Sequence, residues 1–315
     1  MRNIVNQGEI MNATRKLISN ARSCRCQRAN PGGDGFTLTE LLVVIATVGI
    51  LAALILPALA STRPNSHAFQ CLSNMKRLQM ASQLYANDNN DYFPGNLPLT
   101  SGGFIPFGSG ATIFPSWVAG TFGTGLNGSF DSPARCSTNA YFLGVNGDTV
   151  IDNGSAIGTL AGSIGGFAKA AGVYKCPADK TLDNVYKVPR IRSCSANIYC
   201  GADRTSYQRG IFGYDRRFKA FFKYSDFGNG FGPANCFVFL DENPLSLNDG
   251  YFEFIADGNG INDRPAVNHG RSTSFSFADG HTDLHQWVDA FLSYNSPYSP
   301  QQDPKWLGAH GTIRN

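Results

Sequence analysis

The chain has 315 residues, 42% hydrophobic and 16% charged, with a formal net charge of +3. That length allows one large domain or two small ones, with enough apolar residues for a folded core. The basic excess is confined to residues 1–35, where six Arg and Lys face two acids for +4, leaving −1 for the rest. Such a distribution excludes a general basic surface for nucleic acid and reads as a membrane-topology signal.

In chain order, the first informative stretch is Gly35-Phe36-Thr37-Leu38-Thr39-Glu40, followed by the uncharged run Leu41–Ala60. Twenty apolar residues in a helix rise about 30 Å, the thickness of a bilayer's hydrocarbon. A secretory signal peptide has a shorter apolar region with its cleavage site after it. The junction Gly35/Phe36 lies before the run, so cleavage there retains the helix. The basic segment keeps the N-terminus cytoplasmic and places the C-terminal part of the chain outside. Glu40 is costly in this setting, up to ~3 kcal/mol at mid-membrane and less near the interface, and calls for compensation. Pro57, with Gly49 before it, predicts a kink near Ala53–Pro57. Pro64 predicts a bend or a fresh helix start. Phe69, Leu72, Met75, Leu78 and Tyr85 recur at helical spacing up to Asn87, an apolar stripe that packs onto a sheet.

After Asp88-Asn89-Asn90-Asp91 the chain becomes rich in Gly, Ser, Asn and aromatics through Gly166. Ala111–Val118, Ala140–Val145 and Thr149–Asp152 read as short strands among long loops. Val173–Asp179 reads as a strand meeting a turn. Phe237-Val238-Phe239-Leu240 reads as a buried strand running into Asp241 and Glu242. Ser272–Phe277 and His281–Trp287 flank Asp279-Gly280, a hairpin signal. A two-residue turn there pairs Phe277 with Thr282 and Phe275 with Leu284. Ser276, His281, Asp283 and His285 then share the opposite face. The fold class expected is α+β: a long N-terminal hydrophobic helix packed on a β-rich antiparallel head with long Gly-rich loops. The expected parts are a leader 1–35, a transmembrane and assembly helix 36–60, an amphipathic helix 61–91, and a head 92–315 with its hairpin at 269–287.

Six cysteines lie beyond residue 35, and an exported head permits disulfides among them; fifteen full pairings are open. Cys194 and Cys200 are spaced to close a short loop, with Cys176 near enough to compete. Free buried thiols are the other reading. Asp257, Asn259, Asn262 and Asp263 offer closely spaced oxygens suited to calcium, though without the bidentate Glu of an EF-hand; an ordinary Asx/Gly turn is the plain alternative. His269, Asp279, His281, Asp283 and His285 offer donors for zinc or another transition metal, with His281-x-Asp283-x-His285 along one strand face; the plain alternative is a solvated face, with His269 hydrogen-bonding the hairpin turn through Asp279 or backbone. Asp241 and Glu242 either add acids to that calcium site or form a separate pair after a strand, which can suggest hydrolysis as in glycosidases, but no identifiable nucleophile or pocket motif accompanies them. The sequence has no P-loop, no dinucleotide-binding glycine fingerprint, no serine nucleophile elbow and no CxxC after residue 35. No enzyme activity is expected, and no cofactor is required.

The segment from Gly35 through Ala60 resembles the type IV prepilin leader and stem shared by pilins and type II secretion pseudopilins. Gly35 stands at the cleavage position, Phe36 is the first residue after it, Glu40 lies four residues on, and Pro57 matches a proline of many pilins. His269, Asp279 and Gly280 form an H-x9-D-G pattern that resembles a large group of bacterial prepilin-like proteins. The resemblance implies a prepilin peptidase as partner, cutting after Gly35 and methylating Phe36. It implies single-pass residence in the inner membrane, with a periplasmic or extracellular head, and assembly with like subunits or with secretion or pilus components. It also implies that the Phe36 amine compensates Glu40, and that calcium suits a C-terminal loop. The alternative function is an anchored carbohydrate- or solute-binding head, whose aromatic loops would stack on sugars.

Overall fold

The computed structural model describes residues 36–96, 116–118, 138–146, 150–152, 159–183, 187–210, 213–228, 230–260, 262–288 and 302–315, with side chains outside 54–66, 141–142, 150–152, 159–161 and 205. The chain divides into two units, Met1–Pro57 and Ala58–Asn315. Helix α1, Leu38–Asp88, begins in the first and ends in the second. It is assigned as one element through both Pro57 and Pro64, so Pro64 does not start a second helix.

In the first unit, α1 starts with a capping box. The Thr37 hydroxyl accepts from the Glu40 amide at 3.3 Å, and the Glu40 carboxylate accepts from the Thr37 amide at 2.8 Å. The sequence Thr37-Leu-Thr-Glu40 thereby satisfies its own orphan amides and fixes where the helix begins.

In the second unit, α1 buries Ala68, Cys71, Met75, Leu78, Gln79, Ala81, Ser82, Tyr85 and Ala86. This differs from the expected stripe. Phe69 is 73% exposed, and the small residues Ala68 and Cys71 occupy the buried face instead. The small side chains let the helix backbone approach its neighbours closely. Ser82 Oγ lies 2.9 Å from the Tyr224 hydroxyl, and Gln79 Nε2 donates to the same hydroxyl at 3.1 Å, whereas Gln79 Oε1 and the Tyr85 hydroxyl have no partner among the described residues. The helix stops where Asn90 and Asp91 adopt left-handed φ values of 53° and 70°.

Strands β1 (Val150–Asp152) and β2 (Thr159–Ala161) form an antiparallel pair. Helix α2 spans Gly165–Ala168. The main sheet contains β3 (Cys194–Asn197), β4 (Phe237–Asp241), β5 (Tyr251–Phe252), β6 (Ser272–Phe277) and β7 (Thr282–Gln286), in the order β5-β3-β4-β6-β7. Pairing is antiparallel except that β5 runs parallel to β3. The sheet is therefore mixed, which corrects the all-antiparallel expectation. Helix α3 (Arg204–Arg209) is capped by Asp203, whose carboxylate accepts from the Ser206 amide at 2.7 Å; α4 spans Asp303–Gly311. Two segments read as strands are single turns of 3-10 helix, Ala140–Leu143 and Ala171–Tyr174. Short apolar runs do not distinguish the two conformations by periodicity.

Both faces of the sheet are covered. On one side Met75, Leu78 and Tyr85 of α1 join Trp117, Tyr174, Cys194, Val238 and Phe239. On the other, Phe237, Leu240, Phe252, Phe254, Phe275 and Trp287 pack with Leu307 of α4. A register irregularity between Phe237 and Phe239 re-aims successive β4 side chains. The close seat of α4 requires glycine, because a Cβ on Gly311 would lie 2.1 Å from the Phe254 ring. Central strands buried on both faces read as continuous apolar runs, which is why β4 was visible in the sequence.

The two α1 residues Leu78 and Phe69 separate the expected stripe from the observed one. Leu78→Ala is expected to lower head stability by about 2–5 kcal/mol. Phe69→Ala should stay within about 0.5 kcal/mol. Urea denaturation of the two variants checks this, and equal losses would contradict the observed helix orientation.

Candidate functional site

Gly35 lies outside the described residues. Phe36 is 70% exposed, and Glu40 faces solvent with its carboxylate held by the Thr37 amide and hydroxyl, the latter at 2.7 Å. The acid thus has a local partner that the sequence reading missed, though the Thr-x-x-Glu signature was there to find. From Phe36 to Ala53 every residue is exposed. Leu41, Leu42, Val43, Ile45, Val48 and Leu51 point around the whole circumference, each more than half exposed. Among the residues with described side chains, no helix is long and apolar enough to cross a membrane. Those of the uncharged run end at Ala53.

The H-x9-D-G residues do not form one cluster. Asp279 and Gly280 shape the β6–β7 turn, but the turn has three residues, Ala278, Asp279 and Gly280. The Phe277 amide donates to the His281 carbonyl at 3.0 Å, and Gly280 has φ +98°. This moves the expected register by one residue: Phe275 pairs with Asp283 and Ser274 with Leu284. A one-residue slip transfers every β7 side chain to the other face. His281 therefore stacks on Phe277 at 4.2 Å between ring centres, and His285 on Trp306 at 3.8 Å. The turn docks on α1, where Gln83 Nε2 donates to the Ala278 carbonyl at 3.0 Å. Asp279 accepts from the His281 ring at 2.6 Å and gives nothing to His269, contrary to the expected bond.

His269 instead reaches Cys176, with Nε2 and Sγ 3.2 Å apart. Cys71 of α1 and Asp241 at the end of β4 complete a group whose four donor atoms all lie within 4.8 Å of one another. Cys71 Sγ lies 2.6 Å from Asp241 Oδ2 and 3.0 Å from Ser274 Oγ. Ser193 Oγ accepts from the Cys176 amide at 2.7 Å and donates to Asp241 Oδ1 at 3.1 Å, while Ser274 donates to Asp241 Oδ2. The Cys71 side chain, and then His269 beside it, pull the Cys176 thiol down to about 4, although burial opposes this. Its Cys71 neighbour is pushed up by that bond and by burial. Burial and the Cys176 charge push Asp241 up to about 7. Burial works against protonation of His269, but Cys176 outweighs it and the imidazole is raised. Cys71 sits one turn before Met75 on the buried stripe, the one sequence signal that could have flagged it.

The remaining candidates have other surroundings. Cys71, Cys176, Cys194, Cys200 and Cys236 are free and buried. Cys194 donates to the Tyr174 carbonyl at 3.1 Å, and Cys200 Sγ lies 3.5 Å from Cys236 Sγ. In the 257–263 loop, Asp257 faces Arg217 at 3.4 Å and accepts from the Asn259 amide at 3.1 Å. Asn262 donates to the Glu253 carboxylate at 2.5 Å, and Asp263 accepts from the Glu253 amide at 2.7 Å. Asp241 and Glu242 are both buried, so they present no acid pair to a cleft. Glu242 accepts from Ser195 at 2.5 Å, and burial pushes it up to about 8. Nearby, fully buried Arg192 donates to the carbonyls of Cys194 and Asp249, each at 2.5 Å.

Comparison with known proteins bears on about a fifth to a quarter of the chain. It is 35% identical over 74 residues to type II secretion system core protein G of Escherichia coli, covering 24% of this chain and 51% of that protein. Over 68 residues it is 35% identical to type IV major pilin protein PilA of Myxococcus xanthus, covering 22% and 31%. Over 67 residues it is 36% identical to type IV wide pilus major component PilA4 of Thermus thermophilus, covering 21% and 51%. Over these segments the chain is similar to type IV pilins and type II secretion pseudopilins. The chain spans about a third to a half of the length of these curated relatives. No family model and no solved structure matches it.

Asp249 provides a test of this buried electrostatics. Burial pushes its carboxyl up to about 7, above the ordinary 3.8. Between those values the folded state keeps a proton that the unfolded chain has lost, so this group's contribution falls as pH rises. Asp249→Asn removes the titration and keeps an acceptor for the Tyr251 amide, now bonded at 3.0 Å. The wild-type urea midpoint should therefore decline relative to the variant's between about pH 4.5 and 7.5. A constant difference would contradict the buried, protonated carboxyl.

Proposed function

We propose that the protein is a membrane-anchored, non-enzymatic pilin- or pseudopilin-like subunit. A prepilin peptidase cuts after Gly35 and methylates Phe36. The helix that begins at Leu38 stays in the inner membrane and packs with like subunits, or with type II secretion or pilus-assembly components. The unit after Pro57 then forms the periplasmic or extracellular head. The observation that carries this reading is the apolar surface of α1, exposed on all sides from Leu41 to Ala53. A helix that is apolar all round is stable only when lipid or other helices surround it. The local identities to pilins and to core protein G support the same reading.

Glu40 has two separable roles in this scheme. Its carboxylate caps α1 through Thr37, and its charge pairs with the free amine of a processed Phe36 on a neighbouring subunit. At about 4 Å and an effective dielectric near 20, such a pair gains roughly 4 kcal/mol before desolvation is subtracted. Of the rings that the anchored carbohydrate-binding alternative would use, Trp117 and Trp287 are buried in the core, and Trp306 is partly exposed.

Glu40→Gln separates cap from charge, because glutamine also completes a capping box. The variant should reach the membrane normally, yet show at least about tenfold less cross-linked assembly, corresponding to a loss of about 1.4 kcal/mol per contact. Glu40→Ala should lose both roles. Wild-type assembly by Glu40→Gln would remove the charge from the scheme.

A further inference from the structure

We infer that Cys71, Cys176, Asp241 and His269 are the four ligands of a structural zinc ion that fastens helix α1 to the sheet. The inference stands on the head alone and holds whether or not the protein assembles. Two sulfurs, one imidazole nitrogen and one carboxylate oxygen converge from four separate parts of the fold. Cys71 comes from α1, Cys176 from the turn after the 3-10 helix Ala171–Tyr174, Asp241 from the end of β4, and His269 from the turn preceding β6.

The geometry suits a small tetrahedral ion. Zinc holds sulfur at about 2.3 Å and nitrogen or oxygen at about 2.0–2.2 Å, which puts neighbouring donor atoms roughly 3.3–3.8 Å apart. Shifts of up to about 1 Å reach that arrangement from the present spacings, which include 2.6 Å between Cys71 Sγ and Asp241 Oδ2 and 3.2 Å between Cys176 Sγ and His269 Nε2, all within 4.8 Å. Two thiolates with an imidazole favour zinc over calcium, magnesium or manganese, which prefer oxygen donors. Four protein donors fill the tetrahedron and leave no open position for substrate, the mark of a structural rather than catalytic site.

The surroundings hold Cys71, Cys176 and Asp241 in place, as outer partners do at metal sites. Ser193 ties the Cys176 backbone to Asp241, Ser274 touches both Asp241 and Cys71, and the Ala178 amide is directed at the Cys176 sulfur. A surface cleft of about 740 Å³, lined by Gln70, Asn74, Lys175, Cys176 and Pro177, gives an ion a route to the site. Zinc would also shield two thiols from oxidation in an exported head. No ligand pair is close in sequence, so the usual spaced-cysteine signature is absent.

The test is metal analysis of the full chain extracted from membranes in detergent. About one zinc per chain is expected, displaceable by cobalt with the thiolate charge-transfer and intense visible bands of tetrahedral coordination. Chelation should release the zinc, expose two additional titratable thiols and lower the urea midpoint of the head. Cys71→Ser and His269→Ala should each lose most of the metal, whereas Cys194→Ser should keep it. Wild-type protein that takes up no zinc or cobalt beyond the Cys71→Ser level would overturn the inference. So would a Cys71–Cys176 disulfide in the isolated protein.

Discussion

The close seating of α1 on the central strands is the constraint on which the rest of the head depends. It requires small residues at Ala68, Cys71, Ala81, Ser82 and Ala86, because a larger side chain at any of them would push the helix outward. It also brings polar groups into the interior, where each needs a partner. Gln79 and Ser82 find Tyr224, and Gln83 finds the Ala278 carbonyl in the β6–β7 turn. The Asp279-Gly280 pair shapes the turn that receives the Gln83 bond. That gives the residues a packing role and calls for no chemistry.

The same helix presents opposite solvation problems along its length. From Ala68 to Ala86 its buried face is covered by the sheet and the loops around it. From Leu41 to Ala53 its apolar side chains are exposed on every face. Water is an unfavourable environment for such a surface, and the hydrophobic effect drives it toward lipid or other helices. The proposed anchoring and assembly rest on that imbalance.

Much of this was legible in the sequence, and the failures have physical causes. The helix end at Asp88–Asp91, the buried strand β4 and the two strands of the hairpin are all readable from periodicity and turn residues. The hairpin register failed because Asp-Gly also closes a three-residue loop when glycine occupies the left-handed position. The parallel pairing of β5 is a long-range contact that local pattern does not encode. Hydrophobicity alone puts Phe69 in the stripe, but the contact surface selects size as well, and Cys71 fits there. The convergence of Cys71, Cys176, Asp241 and His269 was invisible for the same reason: the topology brings them together, and their sequence spacing does not.

The intact mass of the protein extracted from membranes addresses the central claim most directly. A retained apolar helix with its leader removed gives a chain beginning at N-methylated Phe36. A chain that keeps residues 1–35, or one that begins beyond Ala60, would contradict the account.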